Sequence, residues 1–174
     1  FAQAWCSANK DEQIGLIPCA EGGTCIDEWN SEGPLFRHAV SEVKFAMETS
    51  ELIAILWHQG ESDSYGGRYK NYYQKLDTLV NAFRKELDIP EVPFIVGGLG
   101  DYLGKSGFGK SSVEYGLINQ ELRKYAANNR NCYFVTGEEL NPNLDGIHIN
   151  AESQRRFGIR YFEAYRTKSN VDRL

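Results

Sequence analysis

The chain has 174 residues, of which 41% are hydrophobic, 25% charged and 13% aromatic. This composition is typical of one globular domain with its own core, and it excludes a disordered or fibrous protein. The net charge is −5 and no block of Lys or Arg is present, so a nucleic acid is not an expected partner. A membrane is not expected either, because no run approaches the roughly 18 apolar residues that a span requires.

Four short apolar runs predict strands that are buried on both faces of a sheet. They cover residues 14–20, 52–57, 92–96 and 132–135. Stretches with helical periodicity alternate with them, at residues 35–47, 69–87, 113–127 and 151–165. Asn150 is the expected N-cap of the last helix. This alternation predicts an α/β fold with a parallel sheet and helices on both faces.

The four cysteines show no CxxC spacing, so neither a zinc site nor a redox pair is indicated. Cys19 and Cys132 lie in apolar runs and are expected to be small buried thiols. A disulfide between Cys6 and Cys25 is the alternative that the sequence leaves open.

Polar segments follow the predicted strands, at residues 20–24, 57–63, 97–101 and 145–148. Because ligands of such sheets bind where the carboxyl ends of the strands meet their loops, the candidate chemistry falls on one rim. The glycine-rich loop 97–112 belongs to the same rim. It is expected to be a mobile lid or a substrate rim, and a plain surface excursion is the alternative.

Asp145 and His148 are three residues apart, just before a predicted helix. At this spacing the carboxylate can accept a hydrogen bond from the imidazole and fix its tautomer. The other ring nitrogen can then take a proton from a hydroxyl nucleophile, as a general base does in acyl transfer. The alternative is a helix-capping Asp beside a surface His, and only the wider context decides between them.

Gly22 and Gly23 follow the first predicted strand. Two glycines allow main-chain N–H groups to approach a ligand closely enough to stabilise an oxyanion. A tight turn that requires positive φ explains the same pair without any ligand.

The segment 58–63 places five polar or charged side chains directly after an apolar run. One interpretation makes Gln59 an oxyanion donor and Glu61 a group that orients the histidine or the substrate. Another makes Ser62 the nucleophile, although its G-E-S-D context is not a G-x-S-x-G elbow and a helix-capping hydroxyl is favoured. A metal site formed by His58, Glu61 and Asp63 is the weakest alternative, because the spacing matches no known ligand pattern.

Three motifs together carry a family resemblance: I-P-C-A-E-G-G-T-x-I-D-E-W at 17–29, W-H-Q-G-E-S-D at 57–63 and D-G-I-H at 145–148. They resemble the sialate O-acetylesterase and acetylxylan esterase group of carbohydrate esterases, which are SGNH-like hydrolases. The resemblance implies a three-layer α/β/α sandwich related to flavodoxin. It also implies a cofactor-free removal of O-acetyl groups from sugars through an acyl-serine.

The same resemblance implies a role for each matched residue. His148 is the general base and Asp145 orients it, while Gly23 offers a main-chain oxyanion donor and Gln59 a side-chain donor. Glu61 is implied to support the same site.

Members of this group carry the nucleophile in a G-Q-S-N segment after their first strand, and residues 1–174 contain no such segment. We therefore expect a single SGNH-like domain without its first strand and nucleophile loop, the serine being upstream of Phe1. The open sheet edge would then require the missing N-terminal segment or lead to self-association. A catalytically silent carbohydrate-binding or scaffold fragment is the competing prediction.

Overall fold

The computed structural model describes residues 1–172, which are built around a three-stranded parallel sheet. The strands are β1 (Ile55–Trp57), β2 (Phe94–Gly97) and β3 (Cys132–Val135), and β2 lies between the other two. The helices are α1 (Ala2–Ala8), α2 (Pro34–Ala46), α3 (Tyr72–Leu87), α4 (Tyr115–Asn128) and α5 (Ala151–Thr167). Short 3-10 turns occur at Ile26–Trp29, Glu61–Asp63, Arg68–Asn71 and Gly107–Ser111. The predicted α/β class with a parallel sheet is confirmed.

Helices cover both faces of the sheet. Successive side chains of a strand point to opposite faces, and Trp57 pairs in register with Val96. The Trp57 indole donates to the Tyr72 hydroxyl at 3.3 Å, so α3 covers this face, with α4 packed beside it. Gly97 faces the other way, where Tyr161 of α5 lies directly against it. The sheet is therefore the middle layer of three.

The four predicted helices are confirmed, with ends that shift by a few residues. Asn150 is the N-cap of α5 as predicted, since its side chain accepts a hydrogen bond from the Ser153 main chain at 2.9 Å. The short helix α1 was not predicted. It packs on α5 through aromatic contacts, with the Trp5 and Tyr165 ring centroids 5.3 Å apart. No helix within residues 1–172 has both the length and the apolar character needed to cross a membrane.

The predicted strand at residues 14–20 is wrong. This segment forms no strand, and Leu16 is 65% exposed. An apolar run becomes a strand only when a neighbouring strand accepts its main-chain hydrogen bonds, and within residues 1–172 no strand lies beside it. β1 likewise pairs only with β2 in the described part of the chain, and Leu56 is 38% exposed at its open edge.

All four cysteines are free thiols, so Cys6 and Cys25 do not form a disulfide. Cys132 is buried in β3 as predicted, and burial raises the pKa of its thiol. Cys19 is only partly buried, because the segment that carries it is not part of the sheet.

The close contact between β2 and α5 predicts that a methyl group added at Gly97 destabilises the fold. A β-carbon at Gly97 would overlap the Tyr161 hydroxyl, which donates to the Trp57 carbonyl at 2.8 Å. We expect Gly97→Ala to lower the free energy of unfolding by roughly 1–3 kcal/mol, the usual cost of overpacking a core. Urea unfolding followed by circular dichroism measures it.

The matched control is Gly116→Ala in α4, where a β-carbon would meet open space. Alanine is the better helix former, so this change is expected to leave stability unchanged or raise it slightly. Equal stability losses in the two variants would contradict the packing described for Gly97.

Candidate active site

The Asp145 carboxylate holds His148 in a defined orientation. Its Oδ2 lies 2.9 Å from His148 Nδ1, while Oδ1 accepts the main-chain N–H groups of Ile147 at 2.9 Å and His148 at 3.0 Å. The Ile147 bond, followed by the two His148 bonds, lowers the pKa of Asp145 to about 2. An ionised carboxylate can only accept, so Nδ1 carries the proton and Nε2 is left as the basic nitrogen.

The glycine-rich loop 97–112 packs against the Asp145 turn. The Tyr102 hydroxyl donates to the Ile147 carbonyl at 3.0 Å. At Gly107, φ is +58° and a β-carbon would overlap the Asp145 carbonyl, so only glycine permits this approach. The loop therefore packs against the turn that carries Asp145 and His148. These contacts place the loop at the rim of the candidate site, and its movement as a lid stays a prediction.

His148 faces a cavity of about 390 Å³ beside the open edge of β1, and its side chain is 69% exposed. The cavity is lined by Leu56, His58, Glu61, Ile147, His148, Ile149, Gln154, Phe157, Gly158 and Tyr161. None of these described residues is Ser, Thr or Cys. The one hydroxyl, of Tyr161, donates to the Trp57 carbonyl, and burial raises the pKa of Tyr161 well above its ordinary value. The lining offers a base without a hydroxyl nucleophile.

His58 and Glu61 form an ion pair in the same cavity, with His58 Nε2 3.5 Å from Glu61 Oε1. Burial lowers the pKa of His58, but the hydrogen bond and charge of Glu61 outweigh it and raise the net value. Burial alone would raise the pKa of Glu61. The hydrogen bond and charge of His58, with a smaller effect of His148, outweigh burial, so the pKa of Glu61 is lowered. The structure thus brings Glu61 together with the Asp145–His148 pair and places a negative charge near the candidate base.

Gly22 and Gly23 lie in an exposed turn outside the cavity lining. Gly23 has a φ of +79°, and within residues 1–172 its main-chain N–H has no hydrogen-bond acceptor. The Ser62 hydroxyl donates to the Gly23 carbonyl at 2.9 Å, which ties the turn to the 58–63 segment. The turn therefore presents a free donor beside the 58–63 segment, and neither of its described glycines is hydrogen-bonded to His148.

Gln59 is buried and its amide is fully engaged. Nε2 donates to the Thr24 carbonyl at 2.9 Å and to Asp63 Oδ2 at 2.7 Å, while Oε1 accepts from the Tyr72 hydroxyl at 3.0 Å. Both amide hydrogens are thus occupied. For Gln59 to donate to an oxyanion, it must release one of these two bonds.

Sequence reasoning considered Asp63 only as a metal ligand. The structure separates it from the His58–Glu61 pair, because its carboxylate faces Gln59 and the Ile26 main chain. Within residues 1–172 no three His, Cys, Asp or Glu side chains form a group that could hold a metal ion. The cavity residues Phe157 and Tyr161 were also missed, because their helical periodicity reads as ordinary core packing.

Comparison with known proteins places the chain among the esterases. The model of a family described as carbohydrate esterase, sialic acid-specific acetylesterase matches residues 1–167. The chain belongs to this carbohydrate esterase family.

A curated relative from Arabidopsis thaliana, named "Probable carbohydrate esterase", is 30% identical over 157 residues. The match covers 87% of this chain and 55% of the relative, so the chain spans about half the length of that protein. The X-ray structure of a protein from the same plant superposes with a TM-score of 0.84 at 26% identity, covering 95% of this chain and 66% of the other.

The depressed pKa of Asp145 predicts how stability changes in acid. A carboxylate whose folded-state pKa lies below its unfolded value stabilises the fold above the unfolded value, and this contribution is lost as the pH falls through the folded one. The unfolding temperature of Asp145→Asn should therefore lie below that of the wild type by a constant amount above about pH 4. The gap should narrow toward pH 2.

Thermal unfolding at a series of pH values measures this gap. Asp11→Asn is the control, because it removes an exposed carboxylate that accepts no hydrogen bond within residues 1–172. A gap for Asp145→Asn that persists unchanged to pH 2.5 would show that Asp145 does not hold His148 through its ionised form.

Proposed function

We propose that this chain provides the Asp–His part of a Ser-His-Asp carbohydrate O-acetylesterase, which hydrolyses acetyl esters on sugars. The observation that carries the proposal is the 2.9 Å contact between Asp145 Oδ2 and His148 Nδ1, which leaves Nε2 as a base beside an open cavity. Membership of a carbohydrate esterase family supports the reaction class.

In the proposed reaction, His148 Nε2 takes the proton of a serine hydroxyl as its oxygen attacks the acetyl carbonyl carbon. The tetrahedral intermediate places a negative charge on the former carbonyl oxygen, which the Gly23 N–H and the Gln59 amide stabilise. The intermediate collapses, and His148 gives its proton to the departing sugar oxygen. Water then attacks the acyl carbon as His148 takes its proton, the bond between that carbon and the serine oxygen breaks, and His148 returns the proton to the serine as acetate leaves. The ionised Asp145 stabilises the imidazolium that forms in each half of the cycle.

The serine is proposed to come from sequence outside residues 1–174. Two observations support this: the described lining of the His148 cavity has no Ser, and the cavity adjoins the open edge of β1. A strand pairing with that edge would carry the loop at its end toward His148. Ser62 is a poorer candidate, because its hydroxyl is bonded to Gly23 and it does not line the cavity.

The alternative function is carbohydrate binding without catalysis by residues 1–174 alone. The lack of a Ser, Thr or Cys in the described cavity lining favours it for the isolated chain. The proposed ligand in both cases is an acetylated sugar. The matched family's description names sialic acid, and acetylated xylan is the second substrate proposed from the sequence resemblance.

The general-base role of His148 predicts a large loss of turnover. In the natural protein with all its flanking sequence, His148→Ala should lower kcat for p-nitrophenyl acetate by about 10³-fold or more. His38→Ala is the matched control, because His38 lies on the exposed side of α2 and its nearest partner is Glu42 at 3.9 Å. It should retain the wild-type rate. Near-normal turnover in His148→Ala would remove the assignment.

A further inference from the structure

Asp63 is a buried carboxylate without a cation. It is 1% exposed, and no Lys, Arg or His of the described residues forms an ion pair with it. A buried charge is costly unless it is hydrogen-bonded. Both recorded donors contact the same oxygen, Oδ2: the Gln59 amide at 2.7 Å and the Ile26 main chain at 2.9 Å. The carboxylate therefore binds the 58–63 segment to the chain that follows the glycine turn.

The chemistry of Asp63 decides which way the Gln59 amide faces. A glutamine amide has two orientations that exchange its oxygen and nitrogen. A carboxylate only accepts, so the nitrogen must lie toward Asp63. The Tyr72 hydroxyl lies 3.0 Å from Gln59 Oε1 and also 3.0 Å from the Gln59 main-chain carbonyl, so its single hydrogen is shared between these two acceptors. Burial raises the pKa of Tyr72, so the hydroxyl stays protonated. Asp63 therefore selects this orientation, the Tyr72 hydroxyl is compatible with it, and the second amide hydrogen is directed at the Thr24 carbonyl.

We propose that Asp63 is a positioning residue for the oxyanion donor Gln59. One amide hydrogen of Gln59 stays bonded to Asp63. The other moves from the Thr24 carbonyl to the oxyanion as negative charge develops on it. The exchange keeps Gln59 hydrogen-bonded at every stage. This inference rests on the proposed function for the role of Gln59, whereas the orientation of the amide by Asp63 stands independently of it.

A double-mutant cycle in the natural full-length protein tests the proposal. Asp63→Asn has nearly the same shape but can donate as well as accept, so it no longer selects one amide orientation. We expect it to lower kcat for p-nitrophenyl acetate by about 10-fold or more, less than the 10²–10³-fold typical of deleting an oxyanion donor, with KM within about 2-fold. In a Gln59→Met background the same change should lower kcat by no more than about 2-fold, because the group that Asp63 positions is already gone.

Asp77→Asn is the matched control. It removes a carboxylate that accepts a tyrosine hydroxyl, from Tyr125 at 3.4 Å, without touching the site, and it should leave kcat unchanged. If Asp63→Asn does not fold, Asp63→Glu keeps the carboxylate but displaces it by one methylene from the Gln59 amide. It should then lower kcat in the wild-type background and not in the Gln59→Met background.

A second readout does not depend on activity. NMR spectroscopy measures how fast the side-chain amide protons of Gln59 exchange with solvent, and the signal is assigned by its loss in Gln59→Met. We expect slow exchange in the wild type and faster exchange in Asp63→Asn. A wild type that does not hydrolyse acetyl esters would overturn the proposed function while this exchange test still stands. Unchanged exchange, or kcat losses that simply multiply in the double variant, would overturn the role of Asp63.

Discussion

The ionised Asp145 carboxylate is the interaction on which the site depends. It satisfies two main-chain N–H groups and the His148 ring at once, so the turn and the histidine are fixed together. The surrounding backbone reinforces this arrangement. The His148 carbonyl accepts the Asn143 N–H at 2.7 Å, and Pro142 and Ile149 form an antiparallel bridge directly before α5. A histidine that is 69% exposed is therefore held by its own turn and not by burial.

The segment 58–63 joins the other parts of the site. It leaves the end of β1 and contacts the glycine turn through Ser62 and Gln59, while Glu61 reaches the cavity. It also meets the glycine-rich loop, because the Ser112 hydroxyl donates to the Glu61 carbonyl at 3.0 Å. Polar side chains at the carboxyl end of a strand thus both line the candidate site and hold the neighbouring loops.

Much of this structure is predictable from local sequence. The helices follow apolar periodicity, and the Asn150 cap follows from a short polar side chain before such a pattern, because both are properties of a few adjacent residues. The strand predicted at 14–20 does not form, because strand pairing depends on a second strand that can be distant in sequence. The hydrogen bonds of Gln59 and the role of loop 97–112 were not predictable for the same reason, since their partners are far apart in sequence.

The Asp145–His148 pair could be proposed from its spacing together with the neighbouring motifs, but Asp63 could not be distinguished from a surface or ligand carboxylate. The role of Asp63 depends on two hydrogen-bond donors, Ile26 and Gln59, and Ile26 lies 37 residues away in sequence. The family model shows that the chain belongs to a carbohydrate esterase family. It is the geometry that divides the polar residues into those that face the cavity and those that hold the loops around it.

The most direct test of the account is to label the natural full-length protein with a fluorophosphonate probe and to map the modified residue by mass spectrometry. The account predicts one labelled serine outside residues 1–174, with labelling strongly reduced in His148→Ala. Labelling of Ser62, or labelling that does not depend on His148, would contradict the proposal that this chain supplies the base to a serine from another segment.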